Sequence, residues 1–226
     1  MLTACHRQKR ATVTTSNNTT IIDRLPAGYK LLAYDAQRRK SRYHVYYIGK
    51  ITDTIELSMP VLSRYDHSID YDTVNPFTSN INHLKIFVDT SISTAHCIYH
   101  YYIEDNIERP EGKHMYLAYP VFVYNPTDSF IHIGIFNLLN NMVRQAKNTD
   151  GQWQNIESKP VFGCGTGARD IVAGPHQMIV AKALRYKGDY YTACRLKLTQ
   201  RDQEIYSNTF YDYIDKRQLA DTLKPY

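Results

Sequence analysis

Short segments in which Val, Ile, Thr and Tyr alternate with polar residues recur along most of this chain of 226 residues. β-Branched and aromatic side chains fit the pleated, half-buried surface of a sheet, and a period of two places alternate side chains on one face. Hardly any stretch has the 3.6-residue period of an amphipathic helix. The segments predicted to be strands are residues 43–51, 54–59, 83–88, 94–103, 114–124, 130–136, 176–184, 190–198 and 204–210.

The spacing of these segments predicts an all-β protein with little helix, an antiparallel β-sandwich of the Ig-like or jelly-roll-like kind. Residues 138–147 are compatible with one short helix. We favour a strand from about Met142, because the Asp-Gly pair at residues 150–151, followed by residues 152–156, predicts a hairpin.

The polar stretch over residues 104–113 predicts a boundary between two β units that pack together. Residues 11–20 (ATVTTSNNTT) are small and polar, and such a stretch cannot bury enough surface to offset its ordering entropy. The predicted organisation is a flexible N-terminal tether over residues 1–23, a first β unit over 24–105, a second β-sandwich unit over 113–215 and a C-terminal tail over 216–226.

The net charge of +5 is unevenly distributed, since residues 1–50 contain ten Lys or Arg and two Asp. Two short basic runs stand out, residues 6–10 (HRQKR) and 38–42 (RRKSR). Such runs attract phosphate, whether of nucleic acid or of anionic lipid, but we favour a solvated tail and a solvated loop. No window approaches the roughly 18 consecutive apolar residues of a membrane-spanning helix, which excludes an integral membrane protein of that kind.

Residues 2–5 (LTAC) resemble the lipobox of bacterial lipoproteins, in which the cysteine, here Cys5, becomes the lipidated first residue. Residues 119–214 also resemble, loosely, uncharacterised small lipoproteins of bacterial envelopes. That resemblance is carried by residues 146–147 (AK), 151–157 (GQWQNIE), 163–165 (GCG), 186–189 (YKGD), 192 (T), 195–198 (RLKL) and 206–210 (YSNTF). It implies a β-sandwich at the periplasmic face of a bacterial membrane, anchored through Cys5, and it implies no known activity.

The most glycine-dense stretch contains Gly163, Gly165 and Gly167, followed by Arg169. Alternate glycines permit positive φ and a concave row of backbone N–H groups, which could hold an anion beside Arg169. The alternative is a loop that crosses the end of the sandwich.

The four cysteines contain no CxxC pair. Cys164 and Cys194 both lie in the second predicted unit, so we name them as a possible disulfide. Packed free thiols are the alternative.

On a strand, His96 and His100 point the same way and Cys97 points the other, so these three cannot close one metal site. The aspartates of residues 66–72 lack the Gly and bidentate Glu of an EF-hand and read as a solvated acidic loop. We also find no GxSxG, SxxK or HExxH motif. We therefore assign no catalytic residue, no metal site and no cofactor.

Tyrosine is unusually frequent, with 20 copies against 7 Phe and 1 Trp. Tyrosine combines a large rigid apolar area with a polar tip, which favours recognition surfaces, although it also simply favours strands. Two groups stand out in the sequence, Tyr46, Tyr47, Tyr99, Tyr101 and Tyr102, then Tyr186, Tyr190, Tyr191, Tyr206, Tyr211 and Tyr213. From these we select Tyr99, Tyr101, Tyr190 and Tyr206 as a possible binding surface.

The leading hypothesis is a non-enzymatic envelope protein that binds a protein or glycan partner through a Tyr-rich surface, with an immunity or inhibitor protein as one form of it. The first alternative is a small viral jelly-roll capsid protein whose basic N-terminal arm contacts nucleic acid. The second is a hydrolase with a dispersed site that uses His96, His100 or Asp70.

Overall fold

The computed structural model describes residues 11–14, 19–24, 30–35, 40–57, 79–104, 107–162 and 170–220, with the backbone alone for residues 11–14, 99–104, 107–111 and 113. It is 60% strand and 5% helix, with antiparallel sheets packed against each other, which confirms the predicted all-β, sandwich-like fold. The strands of the described residues are β1 (Ala11–Thr14), β2 (Thr20–Asp23), β3 (Leu32–Ala33), β4 (Val45–Lys50), β5 (Thr54–Leu57), β6 (Lys85–Val88), β7 (Thr94–Glu104), β8 (Ile107–Tyr124), β9 (Ile131–Ile135), β10 (Met142–Lys147), β11 (Trp153–Asn155), β12 (Asp170–Ala173), β13 (Gln177–Leu184), β14 (Tyr186–Lys187), β15 (Tyr190–Gln200), β16 (Gln203–Tyr206) and β17 (Phe210–Ile214). A 3-10 turn covers Ile81–His83 and a short helix, α1, covers Arg217–Ala220.

The central sheet has the strand order β4–β13–β8–β6, and β7 also pairs with β8. All its pairings are antiparallel. The long strand β8 pairs with β7 over its first part and with β6 over its last part, so two separate strands share one of its edges.

The C-terminal sheet has the order β11–β10–β15–β16, and β17 also pairs with β15. It packs on one face of the central sheet around the main hydrophobic core. That core includes Val121 and Ile179 from the central sheet and Met142, Leu196 and Leu198 from the C-terminal sheet, all nearly fully buried.

The opposite face of the central sheet carries a second, smaller core. Met178 and Val180 alternate with Ile179 along β13, and they pack with Ile21 and Leu57 rather than with the main core. Ile21 and Leu57 belong to a third sheet, β1–β2–β5, in which β2 and β5 are parallel. Each face of the central sheet therefore carries a buried core.

This third layer corrects the predicted N-terminal tether over residues 1–23. Residues 11–14 and 20–23 form β1 and β2, and Ile21 is 1% exposed. Asp23 is also buried, and its Oδ2 lies 2.9 Å from Nζ of Lys182 on β13. A buried ion pair thus joins the N-terminal strands to the central sheet.

The two predicted β units share one sheet. β4 and β6, from residues 24–105, hydrogen bond to β13 and β8, from residues 113–215. The predicted boundary over residues 104–113 lies in the hairpin of β7 and β8, which pair from Thr94–Ala118 to Glu104–Ile107. The predicted C-terminal tail contains α1, whose Gln218 is buried.

The predicted hairpin after Met142 is confirmed. β10 begins at Met142 and pairs with β11 across residues 148–152. Asn148 Oδ1 accepts the N–H groups of Asp150 and Gln152, and Gly151 takes a φ of 76°, the left-handed conformation that glycine adopts without strain. This hairpin fixes Trp153 at the edge of the C-terminal sheet.

Candidate binding surface on the C-terminal sheet

The C-terminal sheet turns alternate side chains toward the main core and toward solvent. In β15, Leu196 and Leu198 are buried in the core, whereas Arg195 and Lys197, which alternate with them, lie on the opposite side and are only partly buried. In β17, Tyr211 and Tyr213 are exposed and alternate with buried neighbours. We call the solvent side of this sheet the outer face, and its residues are Gln145, Lys147, Trp153, Asn155, Tyr191, Arg195, Lys197, Tyr206, Tyr211 and Tyr213.

Three tyrosines form a cluster at one end of the outer face. Tyr191 is directly opposite Tyr213 in the register of β15 and β17, and Tyr211 is opposite Ala193. The ring centroids of Tyr191 and Tyr211 are 5.7 Å apart, and those of Tyr191 and Tyr213 are 5.0 Å apart. Each side chain is more than half exposed, at 58%, 59% and 52% for Tyr191, Tyr211 and Tyr213. The three rings support one another while leaving apolar area in water.

Arg195 lies between two aromatic rings at the middle of the outer face. Its guanidinium carbon is 4.3 Å from the ring centroid of Trp153 and 3.9 Å from that of Tyr206. Its Nε donates to Oε1 of Gln145 at 2.9 Å, and Nε2 of Gln145 donates to Oδ1 of Asn155 at 2.8 Å. Planar stacking and a directed hydrogen bond together fix the orientation of this guanidinium.

The outer face and its border are predominantly positive. Lys147 Nζ lies 5.4 Å from the ring centroid of Trp153. At the other end, Lys197 Nζ is 2.5 Å from Oε1 of Glu204, whose Oε2 accepts the hydroxyl of Tyr206. The pKa of the bordering Lys159 is lowered, first by burial and then by the positive charge of Lys197. The outer face and its border therefore carry several positive charges, with Glu204 as a neighbouring negative charge.

The structure separates the four tyrosines chosen from the sequence. Tyr206 is on the outer face and 39% exposed. Tyr190 is half-buried and packs against the main core, while its neighbour Tyr191 points outward. The side chains of Tyr99 and Tyr101 lie outside those described, although both residues belong to β7.

Other predicted sites fall on parts of the chain that the structure leaves undescribed. They are the lipidation site Cys5, the anion-binding loop of Gly163, Gly165, Gly167 and Arg169, and the acidic loop over residues 66–72. These remain predictions.

Cys194 is buried in the C-terminal sheet and carries a free thiol. Burial raises its pKa to about 12, so the thiol stays protonated and is a poor nucleophile at neutral pH. Its predicted disulfide partner, Cys164, lies outside the described residues, and the pairing remains a prediction.

His96 is fully buried between the central sheet and the third layer. Its Nδ1 lies 2.9 Å from the hydroxyl of Tyr46, and its ring centroid is 5.1 Å from that of His44. Burial lowers the pKa of both imidazoles, that of His44 to about 4. Burial also lowers the pKa of the nearby Lys182 to about 8, against the opposing effect of Asp23. His96 and Lys182 are both 0% exposed.

In the described part of the chain, no group of three or more His, Cys, Asp or Glu residues is arranged to hold a metal ion. His100, which the sequence paired with His96, is described by its backbone alone. On the outer face, the described residues bring together aromatic rings and cations.

Sequence reasoning missed Trp153 and Arg195 and did not separate Tyr191, Tyr211 and Tyr213 from the other tyrosines. Part of the signal was present, since Tyr211 and Tyr213 alternate with Phe210 and Ile214 at the period of a half-buried strand. The stacked arginine left no such signal, because its neighbours come from three other strands.

The described residues contain no helix that is long and apolar enough to cross a membrane. No family model, no curated protein and no solved structure matches this chain.

Proposed function

We propose that this protein is a non-enzymatic recognition protein of the bacterial cell envelope, and that its outer face binds a protein or glycan partner. The observation that carries the proposal is the exposed aromatic surface beside the stacked Arg195. Tyr, Trp and Arg are the residues enriched among the energetic centres of interfaces.

The outer face is also pre-organised. The tyrosine cluster is held by ring contacts of 5.0 and 5.7 Å, and Arg195 is held from both sides. Side chains that are already ordered lose little entropy when a partner binds, which favours affinity without a large interface.

We propose no catalytic activity because of the state of two reactive groups among the described residues. Cys194 is a buried, protonated thiol and His96 is a buried imidazole hydrogen bonded to Tyr46. Both lie on the inner sides of sheets, away from the exposed aromatic surface.

The binding proposal is tested by placing a photo-crosslinking phenylalanine derivative at Tyr211 in cells of the source organism. Phe87 on β6 is the matched control, because it is an exposed aromatic residue, 43% accessible, on a different sheet. We expect crosslinked partners from position 211 and not from position 87, and their loss when Tyr191 and Tyr213 are changed to Ala. Equal crosslinking from both positions, or none from position 211, would contradict the proposal.

The envelope anchor is a separate part of the proposal and has its own test. If Cys5 is lipidated, the protein is held at the membrane by that lipid. Metabolic labelling with a fatty-acid precursor should label the natural full-length protein, and Cys5→Ala should abolish the label. A label that survives Cys5→Ala, or no label at all, removes the anchor and leaves the binding surface to be judged by crosslinking.

A further inference from the structure

Arg195 has a fixed guanidinium whose binding capacity is only partly used. Among the described residues, it hydrogen bonds only through Nε, to Gln145. The rings of Trp153 and Tyr206 cover its two faces at 4.3 and 3.9 Å. The two terminal nitrogens, which form the fork of a guanidinium, are left for a group outside the chain.

The chemistry of this fork selects an oxyanion of planar, bidentate geometry. Arginine and carboxylate form two parallel N–H···O bonds, and these are among the strongest side-chain hydrogen bonds. The charge around Arg195 has the matching sign, because Lys147 Nζ lies 5.4 Å from the ring centroid of the same Trp153. The positive potential around Arg195 would attract a carboxylate as it approaches and stabilise it once it is bound.

The remaining groups of the outer face argue against a nucleic-acid strand. Such a strand needs free cations that follow its phosphates. Two of the four cations near the face are already engaged, since Lys197 is paired with Glu204 and Lys159 Nζ donates to Oγ1 of Thr199 at 2.5 Å. Arg195 and Lys147 are the two cations that remain, and they lie close together beside Trp153 rather than along a line of phosphates.

The groups of the outer face also argue against a glycan as the partner. Sugar hydroxyls are recognised by polar side chains beside the aromatic rings, and amides serve this purpose well. Here the amide of Gln145 already bonds to Arg195 and to Asn155, so of these two amides only the Nδ2 group of Asn155 is left without a hydrogen bond among the described residues. A single carboxylate next to exposed aromatic rings instead matches a protein segment, in which an acidic side chain stands beside apolar ones.

Resting on the proposed function, we propose that the partner is a protein and that one of its acidic segments seats a carboxylate on Arg195 while apolar neighbours cover the tyrosine cluster. Arg195 is then the central contact of the interface. Trp153 and Tyr206 act as positioning residues, because they hold the guanidinium edge toward the partner.

The test uses Trp153, which is the single tryptophan of the chain and touches the proposed site. The natural full-length protein is titrated at low salt with a decapeptide of alternating Glu and Leu while Trp153 fluorescence is followed. The Gln–Leu version of the peptide, an oligogalacturonate and an oligo-dT strand of similar length are titrated in parallel. We expect a saturable change with the Glu peptide and a much weaker one with each of the others.

Arg195→Lys keeps the charge and loses the fork, so it should weaken binding of the Glu peptide by about tenfold. Lys85→Gln removes an exposed charge from β6, on another sheet, and should bind as the unchanged protein does. Circular dichroism shows whether each variant keeps its strands, and Arg195→Gln gives a second, charge-free variant if the first is compromised.

No saturable response to the Glu peptide, or an equal response from Arg195→Lys, overturns the inference. Tighter binding of oligogalacturonate or oligo-dT overturns it too, in favour of a glycan or a nucleic acid. Partners crosslinked from position 211 that are insensitive to Arg195→Lys would leave the proposed function standing without this inference. The two can therefore fail separately.

Discussion

Arg144 and Arg195 lie on adjacent strands of one sheet and on opposite faces of it. Both guanidiniums rest on aromatic rings, Arg144 near Tyr186 and Phe210 at 5.1 and 5.5 Å, and Arg195 on Trp153 and Tyr206. They differ in the negatively charged group that pairs with the guanidinium. Arg144, with no side-chain exposure, has a carboxylate of its own chain, whereas Arg195 has none among the described residues. The same type of side chain is thus paired within the chain on one face, whereas on the other face it has no carboxylate partner among the described residues.

Arg144 belongs to a buried network of carboxylates, tyrosine hydroxyls and a backbone carbonyl, in which its Nε is left without a hydrogen bond. Its Nη1 is 3.3 Å from Oδ2 of Asp212, and its Nη2 donates to the carbonyl of Leu184 at 2.5 Å. Its backbone N–H donates to Glu157, which also accepts the hydroxyls of Tyr43 and Tyr186. Removal of one member leaves buried charge without compensation.

The largest effect is therefore expected from Arg144→Met compared with Arg195→Met. The first should lower the free energy of unfolding by about 3–5 kcal/mol, because Asp212 would stay buried without its partner. The second should change it by less than about 1 kcal/mol, because Arg195 is partly solvated and holds no buried carboxylate. Urea denaturation of both variants measures the difference. Similar losses in the two variants would erase the contrast between the faces.

The response to pH also distinguishes the inner groups from the outer face, because no residue of the outer face is a histidine. The folded-state pKa of His44 is about 4, whereas an unfolded histidine titrates near 6.5. Below pH 6.5 the unfolded chain therefore binds a proton that the folded chain does not. The stability that is present above pH 6.5 should fall as the pH decreases toward 4, by up to about 3 kcal/mol for this residue.

His44→Gln isolates that contribution from the carboxylates that also titrate in acid. Its unfolding free energy should decline less between pH 6.5 and 4.5 than that of the unchanged protein, while the two profiles run parallel above pH 7. Parallel profiles over the whole range would mean that burial does not hold His44 neutral.

A matched pair of tyrosines extends the comparison to hydroxyl groups. Tyr186→Phe removes a buried donor that lies 2.7 Å from Oε1 of Glu157, and hydrogen bonds to charged acceptors are worth about 1.5–3 kcal/mol. Tyr211→Phe removes an exposed hydroxyl and should change stability by less than about 0.5 kcal/mol. Thermal denaturation of the two single variants provides the test, and a loss in Tyr211→Phe as large as that in Tyr186→Phe would contradict it.

The sequence was informative wherever the local pattern decides the structure. Alternation in β15 and the Asp-Gly turn before Trp153 were sufficient to predict a strand and a hairpin close to their observed bounds. The strand predicted over residues 204–210 covers most of β16 but only the first residue of β17. β1 and β2 were not predicted, because their short sequences give no apolar period. β1 pairs with β2, and β2 is held by its pairing with β5 and by the burial of Ile21. Tertiary contacts outweigh local propensity in such segments.

The stacked Arg195 could not be predicted for a related reason. Gln145 is its partner across β10 and β15, Trp153 is on β11, and Lys197, two residues along β15, pairs with Tyr206 of β16. Only the register of three strand pairs brings these residues together, and register is a long-range property. Tyr211 and Tyr213, in contrast, could be placed on an exposed face from their own strand.

A small stability effect is also expected from Gln145→Met, which removes the acceptor of Arg195 Nε and leaves both rings in place. The loss should stay below about 1 kcal/mol, because the freed Nε can bind water. Iodide and acrylamide quenching of Trp153 then report the position of the guanidinium, since a cation beside the indole attracts iodide and leaves acrylamide unaffected. The iodide-to-acrylamide ratio should fall in Gln145→Met and stay constant in Lys85→Met. An unchanged ratio in Gln145→Met would mean that the rings alone fix Arg195, so that the outer arginine is held by stacking as the inner one is held by its carboxylate.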